Sequence, residues 1–143
     1  MSTTEREVQE VVAAFHRAAI EGDAEGLNDC LAETHVTWSA GPGNTNDPTI
    51  WKAGGFHRGG IEAIRERVAK TKSYSVEIEN LHVDVNEGEN PDQAAAVVVV
   101  KETGEATSVD GKSYVWTNVI NLWSLAKIDG RWKITGSMHH IGE

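Results

Sequence analysis

The sequence predicts an α+β domain, with three N-terminal helices packed on a curved, mainly antiparallel sheet. Two observations carry this. Apolar residues recur with a helical period up to Leu31, whereas from Tyr74 onward the period is two and a pair of Asp-Gly turns punctuates the chain. Helices gathered ahead of a strand meander, rather than alternating with strands, give the α+β class.

Thr4 and Glu7 stand at capping-box spacing, and Val8, Val11, Val12, Phe15 and Ala19 then share one face until Gly22, which defines a first helix of about 17 residues. Asp23 caps a short second helix carrying Leu27, Cys30 and Leu31. The near absence of a loop between the two makes them a tight hairpin. His35 to Ser39 is a β-prone run, and the polar stretch from Ala40 to Arg58 is too long for an idle loop, with Asp47-Pro48 and Gly54 bracketing one or two helical turns that hold Trp51. Ile61, Ile64 and Val68 mark the third helix after Gly59-Gly60.

In the sheet, Val76 and Ile78 alternate on one face and Leu81, Val83 and Val85 on the other, so the phase slips near Glu79 and Asn80, as a β-bulge produces. Ala94 to Val100 is a continuous apolar run, the pattern of a central strand covered on both faces. Val109-Asp110-Gly111-Lys112 and Ile128-Asp129-Gly130-Arg131 both predict type I′ turns, since Gly takes positive φ without steric cost.

At 143 residues the chain has the size of one domain, 1–143, with no internal repeat or linker. Thirteen basic against 22 acidic residues give a net charge of −9, which disfavours nucleic acid and anionic membranes as partners. The polar, acidic start and the lack of a long apolar run read as a cytoplasmic chain. Cys30 is the only cysteine, so neither an intrachain disulfide nor a thiol cluster for zinc can form; its leucine neighbours indicate a buried structural thiol. Adjacent histidines on a strand point apart and no ligand spacing is present, so no metal is expected.

The order of elements, with Gly22-Asp23 between the first helices, a short strand after Leu31-Ala32-Glu33 and the closing Asp129-Gly130-Arg131-Trp132-Lys133-Ile134, resembles the nuclear transport factor 2-like superfamily along nearly the whole chain, in its SnoaL-like and ketosteroid isomerase-like branch. The resemblance implies a cone-like (α+β) barrel with a pocket at its open end, and frequent dimers. It does not choose a reaction, because the superfamily holds isomerases, dehydratases, epoxide hydrolases, polyketide cyclases and noncatalytic domains.

Ketosteroid isomerases use a carboxylate base on the first strand and an oxyanion hole made by a Tyr and a protonated Asp. Here the Tyr position falls on Phe15, the run His35 to Ser39 has no carboxylate, and the late Asp position falls near Leu122 with Asn121 beside it. An epoxide hydrolase relay of Asp, Arg and Asp is also missing, since the acids between Ala94 and Ile128 are Glu102, Glu105 and Asp110, near a turn. The expected function is a small-molecule-binding SnoaL-like domain, a cofactor-independent isomerase, dehydratase or cyclase relying on histidine. The alternative is a noncatalytic ligand-binding or dimeric assembly domain.

His57 at the rim and His139 or His140 on the last strand are the candidate catalytic groups, because histidine titrates near neutral pH. Alternation sends one of the last two inward, and the sequence leaves open which. Phe15, His16, Trp38, Trp51, Phe56, Trp116, Asn118, Ile120 and Leu122 are the candidate pocket lining, on the basis that Trp116, Asn118, Ile120 and Leu122 alternate onto one face. The expected ligand is small, apolar or aromatic, with one polar group. Both faces of the strand from Lys112 to Ile128 are apolar, which predicts a homodimer through the sheet's outer face.

Overall fold

Local capping chemistry sets both N-terminal helices. The computed structural model describes residues 2–39, 52–54, 65–66, 68–90 and 93–141. Its first helix, α1 (Thr3–Glu21), is capped two residues before the predicted Thr4. Ser2 Oγ accepts from the Glu5 N–H at 3.1 Å and the Ser2 N–H donates to the Glu5 carboxylate at 3.4 Å. Both Ser2/Glu5 and Thr4/Glu7 satisfy the box spacing, and the earlier pair extends the hydrogen-bond ladder. Gly22 ends the helix in the left-handed region at φ +68°, and Asp23 then caps α2 (Ala24–Cys30), accepting from the Gly26 N–H at 3.0 Å.

The third helix is only partly on view. Ile61 and Ile64 lie outside the described residues, while 65–66 and 68–69 are helical and the Lys70 N–H donates to the Glu66 carbonyl at 3.2 Å. Val68 packs against the core. Among the described residues the full helices are therefore α1 and α2, joined by the helical residues 65–66 and 68–69 of the third.

The strands are β1 (Leu31–Ser39), β2 (Lys52–Gly54), β3 (Thr71–Asn86), β4 (Ala95–Ser108), β5 (Ser113–Ile128) and β6 (Arg131–Ile141), forming one sheet in the order β2-β1-β6-β5-β4-β3. All neighbours are antiparallel except β1 and β6, which run parallel. β1 starts directly after α2, earlier than the predicted His35, so Glu33 belongs to the first strand and only its second half lacks a carboxylate.

The predicted slip in β3 is present: the register with β4 shifts between Asn80 and His82, which leaves Leu81 at the bulge and returns Val83 and Val85 to the face of Val76 and Ile78. The turns differ from each other. Asp129 at φ +52° and Gly130 at φ +79° make the second one type I′ as predicted. In the first, Gly111 has φ +89° but Asp110 is not in the left-handed region. Instead the Ser108 N–H donates to the Lys112 carbonyl at 2.8 Å, and the Asp110 carboxylate accepts from Ser108 Oγ and from the Lys112 N–H, bonds that hold its pKa below the usual range. A side chain able to organise a wider loop removes the need for the tight one.

α1 and α2 bury Val8, Val12, Phe15, Leu27 and Cys30 against Ala96, Val98 and Val100 of β4, Trp123 and Leu125 of β5 and Trp132 and Ile134 of β6. Cys30 is buried as expected, and burial pushes its thiol pKa up. β4 is an interior strand, between β5 and β3, but its two faces are unequally covered: Ala96, Val98 and Val100 are buried, while Val97 and Val99 on the outer face are half-buried. Among the described residues no helix is long and apolar enough to cross a membrane.

Candidate functional site

The alternation that buries Ala96, Val98 and Val100 continues one step further and carries Glu102 onto the same inner face. On α1, His16 follows Val8 and Val12 at intervals of four, on the helix's buried stripe. The two periodicities meet. His16 Nε2 lies 2.5 Å from Glu102 Oε1, with both residues 3% exposed. The His16 ring is fixed by the edge contacts of Phe15 at 5.7 Å and Trp123 at 5.2 Å, and Phe15 itself lies 5.1 Å from Trp123.

The hydrogen bonds count the protons. His16 Nδ1 lies 2.8 Å from the Val12 carbonyl, which can only accept, so Nδ1 carries a hydrogen. The line between Nε2 and Oε1 then holds one proton: with none, a lone pair would face a carboxylate, and with two, the hydrogens would collide. The pair is net neutral wherever that proton sits. Among the described residues no hydrogen bond reaches the other carboxyl oxygen, Oε2.

Beyond the pair the inner face turns aromatic. Glu102 pairs with Val119 and Gly104 with Trp116, so two steps along β4 are matched by three along β5, and Thr117-Asn118 bulges. Asn118 accepts the left-handed backbone at φ +52°; its N–H donates to Thr103 Oγ1 at 2.9 Å, and the Thr103 hydroxyl donates to Asn118 Oδ1 at 3.4 Å. This bulge reverses the phase of β5. Trp116 shares a face with Val119, Asn121 and Trp123, and not with Ile120 and Leu122, as uninterrupted alternation had predicted. A Cβ on Gly104 would fall 2.5 Å from Trp116 Cζ2 and 2.6 Å from the Ser75 carbonyl oxygen, so glycine lets the indole lie flat on the strand. Tyr74 meets Trp116 at 5.8 Å, and Tyr74, Val76, Gly104 and Trp116 are half-buried. Trp116 thus occupies the cross-strand row next to Glu102, about 7 Å along the strand.

Of the predicted lining, Phe15 belongs to the core and His16 to the buried pair. Asn118 is exposed and its amide serves the bulge, while Ile120 and Leu122 lie on the outer face. Trp38 sits in β1 opposite Ala53 and Met138. Trp51, Phe56 and His57 lie outside the described residues. His139 pairs with Ser39, and His139-His140 fall in a register shift of β6 opposite Asn121, between the pairs Leu122–Met138 and Ile120–Ile141. Asn121 is buried. Sequence reasoning passed over Glu102 because of the turn after it, although the alternation of β4 placed it inward. Among the described residues no three His, Cys, Asp or Glu side chains gather as a metal site.

A model of the SnoaL-like domain family matches residues 1–137. No curated protein matches the sequence. Among solved structures, one named as a candidate aromatic ring hydroxylase from Novosphingobium aromaticivorans is 19% identical with a TM-score of 0.64, covering 100% of this chain and 92% of that one. A ketosteroid isomerase-like protein from Erwinia carotovora atroseptica is 14% identical at TM-score 0.63, covering 97% and 96%. A candidate dehydratase of the NTF2-like family from Streptomyces avermitilis is 17% identical at 0.61, covering 99% and 100%. At these identities the likeness speaks to the fold alone.

Proposed function

The chain belongs to the SnoaL-like domain family, and from that premise we propose that it binds a small planar molecule on the inner face of its sheet and moves a proton on it, as a cofactor-independent isomerase, dehydratase or cyclase. The observation that carries this is the His16–Glu102 pair, hydrogen-bonded and almost wholly buried beside a half-buried aromatic platform. Such a pair is a poor stability device, since apolar side chains of similar size would hold the core as well. Buried titratable pairs of this kind concentrate where proton transfer is needed.

In this mechanism Trp116 and Tyr74 orient the ring system, and Glu102 takes a proton at Oε2 from a carbon next to a carbonyl. His16, bonded to Oε1, stabilises the protonated pair. The proton then returns to a different carbon in an isomerisation, or to a leaving hydroxyl as water in a dehydration. The balance closes with no cofactor. His57, His139 and His140 are the candidates for the second proton carrier, the last two because their backbone lies opposite Asn121.

The test uses 2-tetralone, a neutral bicyclic ketone with exchangeable α-hydrogens, followed by NMR in deuterium oxide. Exchange is expected to exceed the buffer rate and to fall ~100-fold or more in Glu102→Gln and His16→Asn. Asparagine in place of His57, His139 or His140 lowers it comparably only at the residue that shares the work. Binding without exchange would favour the noncatalytic alternative; exchange untouched by both pair substitutions would remove the pair from the mechanism.

A further inference from the structure

We infer that this site selects neutral planar molecules bearing a hydroxyl group and discriminates against the corresponding carboxylates. The inference rests on the site proposed above and adds the charge and hydrogen-bonding class of its ligand. It follows from the proton count. With Nδ1 committed to the Val12 carbonyl and a single proton between Nε2 and Oε1, the pair offers no unspent positive charge.

Oε2 is an acceptor in either arrangement of that proton. If His16 is the cation, Oε2 is a carboxylate oxygen; if Glu102 holds the proton on Oε1, Oε2 is a carbonyl oxygen. A ligand that forms a hydrogen bond with it must therefore bring a donor. An anion would bring another acceptor, against a pair with both histidine nitrogens already engaged.

The described residues of the sheet beside the pair supply no cation to rescue it. Around Glu102 the inner face carries Ile78 and Val119 in its own row and Val76, Gly104 and Trp116 in the next. Among the described residues of those rows there is no Lys or Arg. Of the cations on β3 and β4, Lys101 alternates outward from Glu102 and pairs with Glu79, while Lys72 is exposed at the start of β3, in the register shift between Thr71 and Ser73 and beyond those rows. A carboxylate moved from water into such a setting loses hydration and meets no cation among the described residues of those rows.

Three naphthalenes of one size isolate the effect by titration calorimetry at pH 7: 2-naphthol, neutral with a donor; 2-methoxynaphthalene, neutral without one; and 2-naphthoate, an anion. The naphthol is expected to bind about tenfold or more tightly than either of the others, the scale of one lost hydrogen bond or one unpaired charge. Trp116→Ala should weaken the naphthol and the methoxy compound alike, which places both on this face. Glu102→Gln frees His16 Nε2 from its anion, so the penalty on 2-naphthoate should shrink by about tenfold, with near-ultraviolet circular dichroism checking the fold. Equal affinity for all three, or preference for the naphthoate, overturns the inference while leaving the binding site standing. Failure of all three to bind removes both the inference and the site on which it rests.

Discussion

Replacing His16 and Glu102 singly and together tests the pair at the level of stability. His16→Leu leaves a carboxyl group 3% exposed and without its partner, a situation that costs about 3–5 kcal/mol when one member of a buried pair is removed. Glu102→Leu leaves a neutral imidazole still bonded to Val12, with one ring nitrogen unsatisfied, at roughly 1–3 kcal/mol. The double variant fills the space with two apolar side chains and should lie within about 1 kcal/mol of the parent. The double-mutant cycle therefore closes with a coupling of at least ~3 kcal/mol. With a urea m-value of about 2 kcal/mol/M, the midpoint of His16→Leu falls by roughly 1.5–2.5 M and that of the double variant returns close to the parent. Two small and additive single effects would refute the buried, mutually dependent pair. Should a single variant fail to fold, the folding of the double variant still decides the matter.

Further substitutions probe the platform, the bulge, the thiol and the outer face. Gly104→Ala drives a methyl group into Trp116 and the Ser75 carbonyl and should cost about 1–3 kcal/mol by urea unfolding, with a changed near-ultraviolet spectrum. Asn118→Gly should be close to neutral whereas Asn118→Val, β-branched at positive φ, should lose about 1–2 kcal/mol. The Cys30 thiol, raised by burial, should react with a disulfide reagent only as fast as the protein opens. Because its folded pKa lies above the unfolded one, its contribution is complete below about pH 8.5 and is lost as pH rises further. Cys30→Ala should flatten that decline. The half-buried Val97, Val99 and Leu122 on the outer face should pair with a second copy, and sedimentation showing only monomer at micromolar concentration would remove that expectation.

The fold was legible because each signal was local and periodic. The Gly22-Asp23 hairpin, the slip in β3 and the Asp129-Gly130 turn are each set by a few adjacent residues. The bulge at Thr117-Asn118 was not, because its cause is a threonine on the neighbouring strand, and missing it put Trp116 on the wrong side of Ile120 and Leu122. The His16–Glu102 pair had both halves visible, as a fourth-residue spacing and a second-residue alternation. Neither pattern alone says that the two faces oppose each other, since 86 residues separate the partners. Charge also misled: an acid close to a turn ordinarily faces water, and only the continued alternation of β4 argued otherwise.

The parallel pairing of β1 with β6 governs the order in which the molecule can assemble. β6 lies between β1 and β5, yet it is the last strand in chain order. Until it arrives, β1 and β2 have no ladder joining them to the meander, and the first strand must wait roughly one hundred residues of synthesis for its neighbour. Vectorial folding on the ribosome can complete α1, α2 and the β3–β5 meander but not the sheet. The nascent chain should thus expose the β1 edge and the uncovered flank of β5 until β6 has been made, the interval in which such a topology is open to chaperones and to misassembly.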